Sequence, residues 1–219
     1  GGWEKDNDYV EYRLDVPETA PEKYTKIAEM VEKRYNLHAR KLTKKEIFEG
    51  GYGKKLFDLI NVTYSHLYGF SELSERQIDQ YVKMYFPLAD LDLITVVEDG
   101  NKDNQLVGLA ITIPSLTRAL QKCHRGRLFP FGWWHLLRAI KFHKTEVVDL
   151  LLIGVLPEYR SKGANSLVFA DLIPRYVKYG FKWGETHVEM ETNESVQSQW
   201  GPLDPTMHKK RRCYRKAIG

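Results

Sequence analysis

The stretch that most constrains the fold is residues 147–169, where an apolar run passes into a basic turn with a glycine and then into a helix-forming segment. Residues 147–155 are almost all apolar, which is the pattern of a strand covered on both faces of its sheet. Pro157 ends the strand, because proline has no amide hydrogen to donate to a neighbouring strand. We therefore expect a layered sheet-and-helix domain with this strand in its interior.

The turn after Pro157 has the composition of an anion-binding loop. The first backbone amides of a helix lack intrahelical acceptors, and the helix dipole adds positive potential there. Gly163 would let a phosphate approach the backbone, while Arg160 and Lys162 would add charge-assisted contacts. The residues alone leave an ordinary strand–turn–helix with a solvated basic turn as an equal alternative.

Strand and helix patterns alternate along the rest of the chain. Strands are predicted at residues 3–15, 37–42, 90–98, 105–113, 147–155, 186–192 and 212–218. Helices are predicted at residues 21–35, 48–68, 74–85, 166–179 and 194–200, with capping signals at Thr43 and Ser74. Residues 115–144 are predicted to be loop and helix, with an aromatic-rich part at 128–134.

Composition limits the classes of partner. Hydrophobic residues make up 42% and charged residues 28%, as in ordinary globular proteins, and no run approaches the roughly 20 apolar residues of a membrane-spanning helix. The absence of an apolar signal region predicts a cytoplasmic protein without a membrane partner. Cys123 and Cys213, which are 90 positions apart, predict neither a disulfide nor a metal site.

A block of six Lys and Arg residues lies in the tail at residues 208–216. Such a block is usually a solvated face or a guard on an edge strand, and it can also be an anion or nucleic-acid patch. No nucleic-acid reading motif accompanies it, so nucleic acid is not an expected partner.

Residues 155–164 resemble motif A of the GNAT superfamily, (Q/R)-x-x-G-x-(G/A) after V-x-P. Arg160 and Gly163 match, whereas Asn165 stands where the family usually has Gly or Ala. Residues 188–195 are similar to the family's next strand, whose closing Asn193 opens a helix. The resemblance implies binding of acetyl-CoA or another acyl-CoA, with the pyrophosphate on the loop and the pantetheine along the strand. The implied cofactor-binding residues are Ile153, Val155, Arg160, Ser161, Lys162, Gly163, Ala164, Asn165, Ser166 and Asn193.

The same resemblance implies an α/β fold, with a mixed, largely antiparallel sheet and helices on both faces. It assigns residues 36–219 to a GNAT-like acyl-CoA-binding domain and 16–35 to a linker helix. Residues 126–132 and 208–214 resemble a bacterial group of tandem GNAT-like proteins. On that basis residues 1–15 are the terminal strand of a preceding, mostly absent GNAT-like half, with which contacts are expected.

Catalysis in this family needs a base for the amine and an acid for the departing thiolate. Glu189 and Glu191 are the candidate bases, two positions apart and so on one face of a strand. The acid is often a Tyr seven positions after the helix-opening Asn; here that position is Trp200, which has no titratable proton, and Tyr214 is the substitute candidate. The predicted function is an N-acyltransferase acting on an unidentified small-molecule or peptide amine. Two alternatives are a catalytically inactive acyl-CoA-binding or scaffold module and an anion or nucleic-acid binder that uses the tail.

Overall fold

The structure is a computed structural model, and it describes residues 2–123, 126–193, 197 and 199–217. Its strands are β1 (Glu4–Asp15), β2 (Leu37–Arg40), β3 (Ile94–Asp99), β4 (Gln105–Pro114), β5 (Val147–Val155), β6 (Trp183–Thr186), β7 (Glu189–Met190) and β8 (Thr206–Arg215). Its helices are α1 (Glu22–Tyr35), α2 (Lys44–Phe48), α3 (Tyr52–Tyr64), α4 (Glu75–Tyr85), α5 (Thr117–Gln121), α6 (Gly132–Phe142), α7 (Pro157–Arg160) and α8 (Ala164–Tyr179).

The described residues form one open, eight-stranded sheet in the order β2–β3–β4–β5–β6–β1–β7, with β8 paired to β1. Strands β2 to β5 follow one another as antiparallel neighbours, and β5 pairs with β6 in parallel. The mixed, largely antiparallel sheet that the sequence predicted is confirmed.

Helices cover both faces of this sheet because the side chains of its central strands alternate between two hydrophobic cores. On β3, Val97 belongs to the core beneath α1 and α8, whereas Val96 belongs to the core beneath α2, α3 and α4. On β4, Val107 belongs to the first of these cores and Leu109 to the second. Residues two positions apart usually share one face of a strand, but the irregular pairing of β3 with β4 next to Val97 places these two on opposite faces. The two-layer covering explains the nearly continuous apolar pattern of the central strands.

Strand β1 lies inside the sheet although it is first in the sequence. Its residues 13–15 pair with β6, and Tyr9 and Val10 pair with β7, while the other edge of the strand pairs with β8. Helix α1 packs in the core that also contains Leu14 of β1, and the ring centroids of Tyr24 and Phe169 are 5.1 Å apart there. The division of the chain at residues 15 and 35 stays a prediction.

Element boundaries follow local signals where those exist. Both predicted capping boxes are present, with the Thr43 and Ser74 hydroxyls accepting from the amides of Glu46 and Gln77. The helix predicted at residues 48–68 is shorter in the structure: α3 begins only at Tyr52, after Gly51 with φ of 76°.

Three predicted strands differ from the structure. The strand predicted at 90–98 begins only at Ile94, because Leu91–Leu93 form a 3₁₀ turn. The strand predicted at 186–192 is divided into β6 and β7, and the last strand begins at Thr206 rather than at residue 212. Every residue of β8 is exposed, so its bounds are set by pairing with β1 and not by an apolar pattern. The predicted helix at 194–200 falls mostly outside the described residues.

Candidate functional site

The candidate site lies where β5 and β6 separate. The two strands pair from Val147 to Leu150 on β5, and the described part of the chain continues β5 to Val155 with no further partner on β6. The pairing of β5 with β4 skips a residue at the same place, which leaves Leu151 as an extra residue on β5. A bulge bends a strand and ends regular pairing, so the sheet opens into a wedge beyond it.

A cavity of about 200 Å³ fills this wedge. It is lined by residues 150–155 of β5, by the end of α3 and the segment after it, and by residues 186–190. Tyr9 of β1, Arg160 of α7, Asn165 of α8 and residues 193, 199 and 200 also line it. Segments that are distant in sequence therefore meet at one cleft.

The free edge of β5 is occupied by the hydroxyl of Tyr64. This hydroxyl donates to the Ile153 carbonyl at 3.1 Å and accepts from the Ile153 amide at 3.2 Å. Burial raises the pKa of Tyr64 to about 12, so the phenol is protonated at neutral pH. Both backbone groups of Ile153 thus face the cleft, and each would need another partner if Tyr64 moved.

The loop after β5 begins with the single turn of α7 and reaches α8 through Gly163. Gly163 has φ of 86°, a conformation that favours glycine, and the first amides of α8 follow it directly. Arg160 donates from Nε to the Val155 carbonyl at 2.9 Å and lines the cleft together with Asn165. Lys162 lies instead over the ring of Tyr159, at 4.3 Å from its centroid.

Glu189 is the carboxylate of the cleft. Its Oε1 accepts from the indole nitrogen of Trp200 at 3.1 Å, whereas its Oε2 is buried without a hydrogen-bond partner. Burial raises the pKa of Glu189 to about 7, although the hydrogen bond from Trp200 acts in the opposite direction. A carboxylate with this pKa is suited to accept a proton near neutral pH.

Two curated proteins are similar in sequence to this chain. No protein-family model matches the chain. "Bacterial ceramide synthase" of Caulobacter vibrioides is 23% identical over 175 residues, which are 74% of this chain and 42% of that protein. "Protein YghO" of Escherichia coli is 23% identical over 167 residues, with the same coverage of 74% and 42%. The chain thus spans less than half the length of these curated relatives.

Solved structures show the fold more clearly. A GCN5-related N-acetyltransferase from Sphaerobacter thermophilus matches with a TM-score of 0.60 at 11% identity, over 98% of this chain and 53% of that chain. A GCN5-related glucosamine N-acetyltransferase region of a fungal multi-domain β-N-acetylglucosaminidase matches with a TM-score of 0.58 at 12% identity, over 97% of this chain and 21% of that chain. The chain has the GNAT fold.

In this GNAT fold the predicted cofactor residues divide into two groups. Ile153, Val155, Arg160, Asn165 and Asn193 line the cleft. The remaining predicted residues belong to the loop or to the start of α8 without lining it; they are Ser161, Lys162, Gly163, Ala164 and Ser166. Ala164 and Ser166 are buried, so a ligand would reach them through their backbone. Their role in binding CoA stays a prediction.

The three predicted catalytic residues lie in different surroundings. Only Glu189 lines the cleft. Glu191 accepts from Lys210 at 2.8 Å and also from Lys5, and these hydrogen bonds lower its pKa. Tyr214 is exposed on β8, opposite Lys5. The expectation that both glutamates share one strand face is wrong, because β7 ends at Met190 and Glu191 lies beyond it.

Several cleft residues carry no sequence signal of their function. Tyr9, Tyr64, His66 and His187 reach the cleft from three different parts of the chain. His187 is exposed and lines the cleft. The absence of a metal site stays a prediction: the one potential cluster found in the described residues, formed by Glu11, Glu185 and His208, already pairs with Lys209. No helix among the described residues is long and apolar enough to cross a membrane.

Proposed function

We propose that this chain binds an acyl-CoA and transfers its acyl group to an amine. The observation that carries the proposal is Glu189, a carboxylate with one unpaired buried oxygen beside the free edge of β5 in a GNAT fold. The pKa of Glu189, raised to about 7, supports a role as general base. An unpaired oxygen in a cleft leaves room for the proton of an incoming amine.

In this proposal the pyrophosphate binds at the N-terminus of α8, where the first amides and the helix dipole attract an anion. Asn165 and Arg160 face it from the cleft wall. The pantetheine lies along Ile153 and Val155, and it replaces the Tyr64 hydroxyl as partner of the Ile153 backbone.

The proposed reaction joins the amine nitrogen to the thioester carbon. Glu189 takes the proton that the amine loses, the carbon–sulfur bond breaks, and the departing CoA thiolate takes up a proton. Tyr64 is the proposed donor of that proton, because its hydroxyl is protonated at neutral pH and is released beside β5 when the pantetheine takes its place on the Ile153 backbone. Trp200 orients Glu189 through its indole hydrogen bond.

The proposed acceptor is a lipophilic amine. A ceramide is an amide between a fatty acyl group and a long-chain amino alcohol, and one relative is named a bacterial ceramide synthase. Apolar side chains of this cleft, among them Leu67, Leu151 and Val188, are compatible with such an amine. Long-chain amino alcohols therefore belong in the first acceptor panel, beside small amines and peptides.

Glu189→Gln tests the base. The substitution should lower the rate of CoA thiol release by about 10²- to 10⁴-fold and leave the affinity for CoA unchanged, because only the proton transfer is lost. Since the base must be deprotonated, the wild-type rate should rise as pH rises through about 7. Glu191→Gln is the matched control, with a carboxylate outside the cleft. Equal rates for wild type and Glu189→Gln would reject the assignment.

Asn165→Asp tests the cofactor loop. A negative charge at this position should weaken CoA binding at least about tenfold in calorimetry, because it repels the pyrophosphate. A bulky residue at Gly163 is a poorer test, since its Cβ would lie 2.9 Å from Ile27 Cγ2. Asn104→Asp, in a left-handed turn that tolerates both residues, is the control. Unchanged CoA affinity in Asn165→Asp would contradict the loop assignment.

The alternative is a module that binds acyl-CoA without turnover, which Trp200 at the position of the usual tyrosine favours. Saturable CoA binding with no thiol release across the amine panel would favour this alternative. No saturable binding at millimolar CoA would reject both.

A further inference from the structure

The segment between β4 and β5, residues 115–146, holds an unusual share of the positive charge; we call it the α5–α6 segment. Seven of the 33 Lys and Arg residues of the chain lie there, against one of its 29 acidic residues, Glu146. The remaining 26 basic residues face 28 acidic ones. The net positive charge of the chain therefore originates in this segment.

Large apolar side chains of the same segment are exposed to solvent. Phe129 and Phe131 are 78% and 72% exposed. The exposed set of aromatic and aliphatic residues is Leu128, Phe129, Phe131, Trp133, Trp134 and Phe142. Trp134 contacts the rings of both Trp133 and Phe142, and an exposed group of large apolar side chains marks an interaction site.

The loop that presents these residues is held in place. Trp133 donates from its amide to the Leu128 carbonyl at 2.8 Å and from its indole to the Pro130 carbonyl at 2.9 Å. A Cβ on the buried Gly132 would lie 2.3 Å from the Arg127 carbonyl oxygen, so this approach requires glycine. The exposed aromatic side chains are thus fixed by the fold.

Helix α6 mixes aromatic and basic residues on its outer side. Successive residues of a helix are rotated by roughly 100°, so the positions that face away from the buried Ala139 span an arc of roughly 140°. The positions on this arc are Trp133, Trp134, Leu137, Arg138 and Lys141. Long basic side chains next to aromatic rings are typical of helices that lie at a membrane surface.

A basic groove adjoins this helix. Arg118, Lys122, Arg138 and Lys144 line a cavity of about 380 Å³ between α5, α6 and the start of β5. Within the described residues only Arg118 among these four has an ion pair, with Glu146 at 3.7 Å. Lys122, Arg138 and Lys144 thus have no acidic partner within the described residues.

We propose that the α5–α6 segment docks on a membrane surface that contains anionic phospholipid. Phe129 and Phe131 enter the interface between headgroups and acyl chains, and the groove takes a lipid phosphate. Anionic lipids complement the acid-poor surface, and each cation near such a surface strengthens attachment. Surface docking needs no spanning helix, and the proposal therefore departs from the sequence-based expectation of no membrane partner.

The docking site and the cleft lie at opposite ends of β5. Nine residues of strand, at roughly 3.3 Å per residue, separate the groove by about 25 Å from the loop at α8. A docked chain would keep that loop in water. Docking does not depend on the proposed transferase activity, and vesicle binding is measured without acyl-CoA, so the two proposals can fail separately.

The test is co-sedimentation of the full chain with two kinds of vesicle: phosphatidylcholine alone, and phosphatidylcholine that contains about 30 mol% phosphatidylglycerol. We expect binding to the anionic vesicles only, weakened by high salt because screening shortens the reach of the charges. Phe129→Ser with Phe131→Ser, and separately Lys122→Glu with Arg138→Glu, should each weaken binding at least about tenfold.

Matched controls alter exposed residues elsewhere: Tyr85→Ser with Leu88→Ser, and Lys33→Glu with Lys83→Glu. Unchanged binding in these controls, with circular dichroism equal to wild type in all four variants, supports the proposal. No binding to anionic vesicles, or equal loss in patch and control variants, overturns it. A change of oligomeric mass in the Phe variant without an effect on vesicle binding also overturns it, in favour of self-association.

Discussion

Two stretches of this chain are strongly basic, and the structure treats them differently. The tail block on β8 is the denser of the two in sequence, yet Lys209, Lys210, Arg211 and Arg212 all form ion pairs with acids of neighbouring strands. In the α5–α6 segment, by contrast, the described Lys and Arg residues form only the one ion pair with Glu146. The number of cations in a stretch therefore does not identify the basic surface.

Asp8 of β1 is the centre of the neutralised region. Its side chain is fully buried, and Arg212 donates to its two oxygens at 2.7 and 2.9 Å. Lys5 and Lys210 approach the same carboxylate at 3.1 and 3.0 Å. Glu11 pairs in a similar way with Lys209 and Arg211. Among the described strands β8 pairs only with β1, so the basic block lies on an edge strand, which is one of the roles predicted for it, and it also pairs with acids of β1.

The largest expected effect in this comparison is that of Asp8→Asn. Loss of the carboxylate leaves three cations without their shared anion, so we expect the unfolding midpoint to fall by roughly 5 °C or more. Differential scanning calorimetry at pH 7 measures it. Asp15→Asn, at a side chain that is 63% exposed, is the control and should change the midpoint little. Equal midpoints for wild type and Asp8→Asn would show that the ion pairs of Asp8 contribute nothing to holding β8 in the sheet.

The second prediction concerns low pH, which should weaken the ion pairs of β8 but leave the α5–α6 segment unaffected. Hydrogen bonds from Arg212 hold the pKa of Asp8 below its usual range, and those from Lys210 and Lys5 lower the pKa of Glu191. Groups with a depressed pKa stabilise the fold above their unfolded value of about 4, and this stabilisation is lost as pH falls through the folded value.

We therefore expect the unfolding midpoint of the wild type to decline below about pH 4, and more weakly in Asp8→Asn. Replacing Lys122 and Arg138 by Gln should leave the slope unchanged, because no acid pairs with them in the described chain. A slope that flattens in this variant instead would contradict the comparison.

The smallest expected effect is that of Lys210→Gln. An exposed lysine contributes little to a network that retains Arg212 and Lys5, so the midpoint should fall by only about 1–2 °C. Sedimentation with anionic vesicles should be unaffected, in contrast to Lys122→Glu with Arg138→Glu. A large loss of vesicle binding in Lys210→Gln would place the basic surface on β8 after all.

Local signals predicted much of the architecture. The apolar run of β5 and the Pro157–Gly163 turn predicted a central strand that leads into a loop and a helix, because these preferences act over a few residues. Both capping boxes predicted their helix starts for the same reason. The divided strand β6–β7 was not predictable, since residues 186–192 are stabilised by different parts of β5 and β1.

In the cleft, too, local sequence predicted the backbone elements but not the tertiary contacts of the side chains. The sequence determined that a glycine-containing loop begins a helix after a buried strand, and it singled out Glu189 and Glu191 as equals. Tertiary structure alone decided between them, because Trp200 and the wedge in the sheet enclose Glu189, whereas Lys5 and Lys210 pair with Glu191. Lys5 lies 186 positions from Glu191, and Trp200 and Lys210 lie 11 and 19 positions from the glutamates that they contact, so no local pattern contains these interactions.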